Sequence, residues 1–179
     1  MVEIYRTDQQ VLSTLDDIQE GCWINMVDPT NKEIEQIAKR FEIEPEDIAS
    51  ALDEEESSRI SLEDGYTVIL VDIPTPEVRH EKKMYTTIPL GIILKSEAEF
   101  STKKKMRFIY QMLFRSAFVY QANLRLIDKK RIEIEERVDG DTSDTDLIEL
   151  HELESTLVYF ATSLRANSIV LERLRRYKR

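Results

Sequence analysis

Arg59-Ile60-Ser61-Leu62-Glu63-Asp64-Gly65-Tyr66-Thr67-Val68-Ile69-Leu70-Val71-Asp72-Ile73 is the stretch from which the fold is read. Apolar and polar residues alternate over 59–63, the period of a strand with one solvated face. Residues 68–71 are apolar on both faces, as in the middle of a sheet. Asp64-Gly65 between them predicts a hairpin, because Gly accepts the positive φ that tight turns require. Pro74 and Pro76 are expected to end the second strand. Residues 84–94 read as the next strand, pairing back across the 74–83 connection.

Upstream, 2–6 and 22–27 are β-prone, and 10–20 between them reads as weakly helical through Val11, Leu12, Leu15 and Ile18. Thr30 followed by Glu33 is a capping box that opens a helix over 31–41, with Ile34, Ile37, Ala38 and Phe41 on its apolar face. Pro45, then Glu46 and Asp47 near the positive helix end, starts a second helix running to about Leu52. Downstream, Ile109, Leu113, Tyr120, Leu124, Ile127, Ile134 and Val138 recur at three- and four-residue steps. A helix over 102–138 would extend about 55 Å. Leu147, Leu150, Leu153, Leu157, Phe160, Leu164, Ile169, Leu171 and Leu174 carry a second helix beyond the loop at 139–143.

The expected class is therefore α+β or α/β. An α/β/α domain with a mixed sheet occupies 1–100, and a long antiparallel helical hairpin occupies 101–179. A domain of about 100 residues is roughly 26 Å across, so so long a helix needs surface beyond it, most simply from oligomerisation.

The chain has 179 residues, 41% of them apolar and 34% charged, with a formal net charge of −10. That composition folds rather than staying disordered. The charge is uneven: net −14 over 1–100, +6 over 101–138, −6 over 139–170 and +4 over 171–179. An acidic balance repels nucleic-acid phosphate, and no nucleic-acid partner is expected. No run approaches the roughly 18–20 apolar residues of a membrane span. With a single cysteine, Cys22, and two histidines, His80 and His151, neither an internal disulfide nor a structural zinc site is expected. The compartment is expected to be cytosolic. Cys22, beside Trp23, reads as a buried small hydrophobe, and His80 as a surface residue.

Catalytic constellations are absent: there is no Gly-rich phosphate loop, nucleophile elbow or His pair at metal spacing, and no enzyme is expected. Residues 139–144 hint at a calcium loop, but the sixth and twelfth positions are Asp144 and Leu150 where an EF-hand needs Gly and Glu. The plainer reading is a helix connection in which Ser143 or Asp144 caps the second helix. The run Asp53-Glu54-Glu55-Glu56 concentrates like charge that a hard divalent cation would relieve, unless it is simply a solvated linker. Asp72 and Glu77 flank the proline-rich strand exit and are the other candidate ligands.

The order Trp23-Ile24-Asn25-Met26-Val27-Asp28-Pro29-Thr30, then Ile48-Ala49-Ser50-Ala51-Leu52-Asp53, a strand pair and two long helices resembles the cytoplasmic N-terminal domain of the CorA-type magnesium transporters. The tract Ser101-Thr102-Lys103-Lys104-Lys105-Met106-Arg107-Phe108 resembles the start of that family's long helix. The resemblance implies a funnel-shaped homopentamer at the cytoplasmic face of the cell membrane. It also implies a stalk helix and two membrane helices with a Gly-Met-Asn signature, absent from this sequence, so the chain is expected to be a soluble piece of a longer protein. Between Leu94 and Ser101, where the family has a further strand and helix, only 95–100 remain. Regulatory Mg2+ would lie between neighbouring subunits. Glu77 best matches the family's acidic ligand after the central strand, with Asp72 and Asp53 as further metal candidates. The rival expectation is an α/β scaffold whose helical hairpin binds a partner protein without metal.

Overall fold

A computed structural model describes residues 1–8, 11–79, 82–95, 102–138 and 143–176, and backbone contacts divide the chain into Met1–Leu52 and Asp53–Arg179. In the first unit, β1 (Val2–Asp8), β2 (Val11–Leu15) and β3 (Cys22–Met26) form a sheet ordered β2-β1-β3, with both pairings antiparallel. Strand β2 corrects the helix expected over 10–20. The spacing of Val11, Leu12 and Leu15 allows a helix, but so short a helix nucleates poorly on its own. Pairing with β1, which sets Leu12 opposite Thr7, supplies backbone partners at once. Tyr5 faces Trp23 across β1 and β3, and their rings stack with centroids 4.7 Å apart. Cys22 is half-buried.

Helix α1 (Asn31–Phe41) begins as its sequence requires. Glu33 N donates to Thr30 Oγ1 at 3.3 Å, and Thr30 N donates back to Glu33 Oε2 at 2.7 Å. The Thr30 N–H above all, with the Thr30 hydroxyl donating to the same Oε2 at 2.9 Å, favours the charged carboxylate and holds Glu33 below the usual carboxylate range. Ile34 and Ala38 are buried. Helix α2 (Pro45–Ala49) follows with Pro in its first turn and passes into a 3-10 turn, Ser50–Leu52.

In the second unit, β4 (Arg59–Glu63), β5 (Tyr66–Arg79) and β6 (Lys82–Lys95) form an antiparallel sheet ordered β4-β5-β6. Gly65 takes φ +80°, and Glu63 pairs with Tyr66 on either side of the turn. Two three-stranded sheets thus stand where one mixed sheet is expected, and every pairing among the described residues is antiparallel. Short connections between consecutive strands favour this, since parallel neighbours need a long crossover. The α+β class holds.

Strand β5 also runs through Pro74 and Pro76 to Arg79, where the prolines are expected to stop it. The reason is parity. The backbone N–H and C=O of Asp72 bond to a helix side chain and so point away from β6. Backbone direction alternates along a strand, so Pro74 and Pro76 turn the same way as Asp72 and remove no donor from the β5–β6 ladder. Pro89, opposite Asp72, loses its donor on the outer side of β6 for the same reason.

Helices α3 (Thr102–Val138) and α4 (Asp144–Arg176) complete this unit. Ile60, Ile69, Val71 and Ile92 of the sheet pack with Ile109 and Leu113 of α3 and Val170 and Leu174 of α4. Farther along the hairpin, Tyr120, Ile127, Ile134, Leu153 and Phe160 form a second cluster, with the Tyr120 and Phe160 rings edge-to-face at 5.0 Å. The compositional boundary at 100/101 separates strands from helices, yet this shared core joins them in one unit. Buried positions step by three and four along both helices, the 3.5-residue period of a supercoiled pair. On α4 that register differs from the expected stripe. Leu153, Phe160 and Leu174 are buried, whereas Leu147, Leu157, Leu164, Ile169 and Leu171 are exposed. Asp146, Thr156, Ser163 and Asn167 take inward positions instead. His80, the loop at 139–142 and residues 96–101, which hold most of the gap after Leu94, lie outside the described residues.

Candidate functional site

Strand β5 is flanked by β4 only as far as Leu70, opposite Arg59, so the edge of the sheet at Asp72 has no strand beside it. Asn167 of α4 fills that place. Asp72 N donates to Asn167 Oδ1 at 2.9 Å, and Asn167 Nδ2 donates to Asp72 O at 2.8 Å, as a peptide group of a longer β4 would. Ser58 Oγ, just before β4, donates to the same Oδ1 at 3.0 Å. Tyr120 Oη of α3 donates to Asp72 O at 3.2 Å. Ser163 Oγ donates to Thr87 Oγ1 of β6 at 3.1 Å. This polar seam ties both helices to the sheet where an open strand edge would otherwise be buried unpaired. Burial pushes the Tyr120 phenol well above its ordinary pKa, and the Asp72 carboxylate adds to the effect.

Asp72 therefore has its backbone enclosed by α3 and α4. Glu77 lies five residues along β5, opposite Met84 and half-buried. Five residues of strand span about 17 Å, and an odd separation sets the two side chains on opposite faces of the sheet. Asp53 stands elsewhere, in the turn that precedes β4. Its Oδ1 accepts from Glu55 N at 3.0 Å and its carbonyl from Glu56 N at 3.1 Å. Glu56 closes the run on Arg59 at 3.8 Å. The structure places Asp53, Asp72 and Glu77 apart. Among the described residues, no three His, Cys, Asp or Glu groups come together as a metal-binding set. Each can offer oxygen ligands to a hard cation only alongside groups from another source.

At the far end of the hairpin, Ser143 caps α4, as the plainer reading of that connection expects. Ser143 Oγ donates to Asp146 Oδ2 at 2.6 Å and accepts from Asp146 N at 3.3 Å. Arg137 of α3 reaches across to Asp146 at 3.2 Å and to Glu149 at 2.7 Å. The Ser143 hydroxyl above all, with the Ser143 N–H and Arg137, holds the Asp146 carboxyl below its usual range.

The residues that sequence reasoning passes over are Asn167, Ser163, Tyr120 in its polar role, and Thr87. A usable signal exists on α4: Thr156, Ser163 and Asn167 share the heptad frame of Leu153, Phe160, Val170 and Leu174. Following leucines alone leads to the wrong face.

A family model described as "CorA-like Mg2+ transporter protein" matches residues 19–106. The "Cobalt/magnesium transport protein CorA" of Methanocaldococcus jannaschii is 25% identical over an alignment that takes in 86% of this chain and 55% of the relative. The chain thus spans about half the length of that curated relative. The complete structure of the CorA magnesium transporter from the same organism aligns with 98% of this chain and 63% of its own, at TM-score 0.81 and 24% identity. The structure of the soluble domain of that CorA aligns with 96% of this chain and 77% of its own, at TM-score 0.80 and 22% identity. None of the described helices is long and apolar enough to cross a membrane.

Proposed function

We propose, from the premise that this chain is CorA-like in sequence and fold, that it serves as the regulatory domain of a divalent-cation transporter at the cytoplasmic face of the cell membrane. It performs no catalysis. It senses Mg2+ where copies of the chain meet in a homopentamer, whose membrane helices belong to residues outside this sequence. The observation that carries the reading is the fold agreement over nearly the whole chain with the soluble domain of a CorA transporter. The dispersion of Asp53, Asp72 and Glu77 suits it, since a single copy then supplies only part of an ion's ligands. Carboxylates facing each other across a contact between copies repel, and an ion bridging them makes association depend on its concentration. Glu77 is the first candidate ligand, with Asp72 and Asp53 behind it.

The test is thermal. In the assembled protein that this reading requires, millimolar Mg2+ raises the melting temperature, because an ion bound only by the folded assembly stabilises it. Glu77→Ala removes most of the rise. In the 179-residue chain alone the shift is small, since half of the ligands are missing. A full response after Glu77→Ala moves the site to residues 53–56, and no response in the assembly refutes the reading.

A further inference from the structure

The face of α3 that points away from its core is basic and aromatic. Arg107, Gln111, Phe114, Phe118, Gln121 and Arg125 follow one another at steps of four and three, so they form one row about 27 Å long. It lies opposite the buried Ile109, Leu113, Tyr120 and Ile127. All six residues are exposed, Phe114 at 75% and Phe118 at 53%, so the chain itself leaves both rings uncovered. Arg115 lies over the Phe118 ring, 5.7 Å from its centroid. Residues 101–127 hold six Lys or Arg and no Asp or Glu, in a chain of net charge −10. Exposed phenylalanines among arginines mark a contact surface, because aromatic and Arg side chains supply much of the energy at the centre of protein contacts.

We propose that this row docks on a second copy of the chain, at the cleft between α1 and α2 of its first unit. That cleft, of about 410 Å3, is lined by Ala38, Ile43 and Pro45, with the exposed Glu35, Glu42 and Glu44 around them beside Lys39. A phenyl ring matches the apolar lining, and the flanking arginines match the carboxylates. The charge of the whole unit agrees: residues 1–52 carry twelve acids and four bases, a net charge of −8. Glu42 takes φ +53°, the left-handed conformation that Gly or Asn usually supplies at a helix end. A carboxylate is thus kept beside the cleft against the preference of the backbone. An anionic bilayer is the poorer occupant, because two rings set among glutamines and arginines make a narrow apolar face, and the acidic chain is repelled. Row and cleft are different surfaces, so the contact runs head to tail from copy to copy, as a ring requires. It rests on the homopentamer proposed above, and it includes none of Asp53, Asp72 and Glu77, so it holds neighbours together without Mg2+.

Sedimentation equilibrium of the 179-residue chain tests this. The mean mass is expected to rise with concentration and to fall as salt is added, equally for NaCl and MgCl2 at matched ionic strength. Phe114→Ala with Phe118→Ala, both at exposed positions, weakens association about tenfold, a factor worth about 1.4 kcal/mol, with unchanged circular dichroism. Arg107→Glu with Arg115→Glu abolishes association, and so does Glu35→Arg with Glu42→Arg. A mixture of those two reversed chains associates again, because each then offers the other an opposite charge. In a Cys22→Ser background, oxidised glutathione links a Phe114→Cys chain to a Lys39→Cys chain and leaves a Leu147→Cys chain unlinked to either. A mixture of reversed chains that stays apart overturns the cleft as the acceptor, and so do Phe114→Cys chains that link to one another instead. A chain monomeric at every concentration overturns the contact, as does a Phe114-dependent binding to phosphatidylglycerol vesicles without self-association, which would give the face to lipid. Failure of the Mg2+ reading is distinct from all of these, since it shows as a missing thermal response while the salt-sensitive association persists.

Discussion

Helices α3 and α4 bury positions at the same spacing, yet polar side chains take half of those on α4 and few of those on α3. The inward row of α3 is mostly apolar, with Ile109, Leu113, Tyr120, Ile127 and Ile134. The inward row of α4 includes Asp146, Thr156, Ser163 and Asn167, while five apolar residues of the expected stripe face solvent. The difference follows from what each helix covers. Asn167 lies over the unfinished edge of β5 and must satisfy backbone groups there, which no leucine can do. A heptad register therefore tells where a helix is buried, but the neighbour decides whether a buried position is oily.

Mutations at the buried and exposed positions of the two helices separate their roles, with the core substitution costing most. Phe160→Ala, which empties the centre of the interhelical cluster, costs about 3–5 kcal/mol of unfolding free energy in urea. Asn167→Leu costs roughly 3 kcal/mol, although it raises hydrophobicity at a buried site, because Asp72 N and O and the Ser58 hydroxyl lose their bonds. If Asn167→Leu proves neutral, the account of α4 fails. Tyr120→Phe costs only about 1 kcal/mol, since Asn167 still serves Asp72 O. Leu164→Ala changes monomer stability by less than about 0.5 kcal/mol, the usual size for a surface position, and so separates the exposed stripe from the buried row.

Acid titration sharpens the same contrast at the start of α4. Asp146 is held below its usual range in the folded state, chiefly by the Ser143 hydroxyl. Its contribution is present in full above the unfolded value of about 3.9 and is lost as pH falls through the lower folded value. Urea midpoints should therefore fall on acidification below about pH 4. Ser143→Ala, which removes the bond responsible, should flatten that part of the profile.

Much of the fold was legible because its signals are local. The Asp64-Gly65 turn, the Thr30–Glu33 capping box and the first-turn Pro45 each act within a few residues, so no distant partner was needed to read them. The helix expected over 10–20 failed because so short an apolar run cannot hold a helix by itself, and pairing with β1 supplied its backbone partners instead. Pro74 and Pro76 misled because a proline ends a strand only when its missing N–H faces a neighbour, and parity against β6 is a property of the sheet. Asp53, Asp72 and Glu77 stand out in the sequence only as carboxylates that could serve as ligands. Their separation along β5 and across the turn before β4 emerged from the fold.

The α+β class, both long helices, the bounds of the first and the resemblance to CorA-type domains can all be read along the chain. Periodicity, caps and turn residues act through neighbouring backbone and are written in order along the chain. The split into two antiparallel sheets, the face that α4 turns inward and the role of Asn167 as a substitute strand arise only once the chain has folded. Each of those depends on which backbone groups are left without partners once distant segments meet, and a side chain 95 residues from Asp72 answers that need.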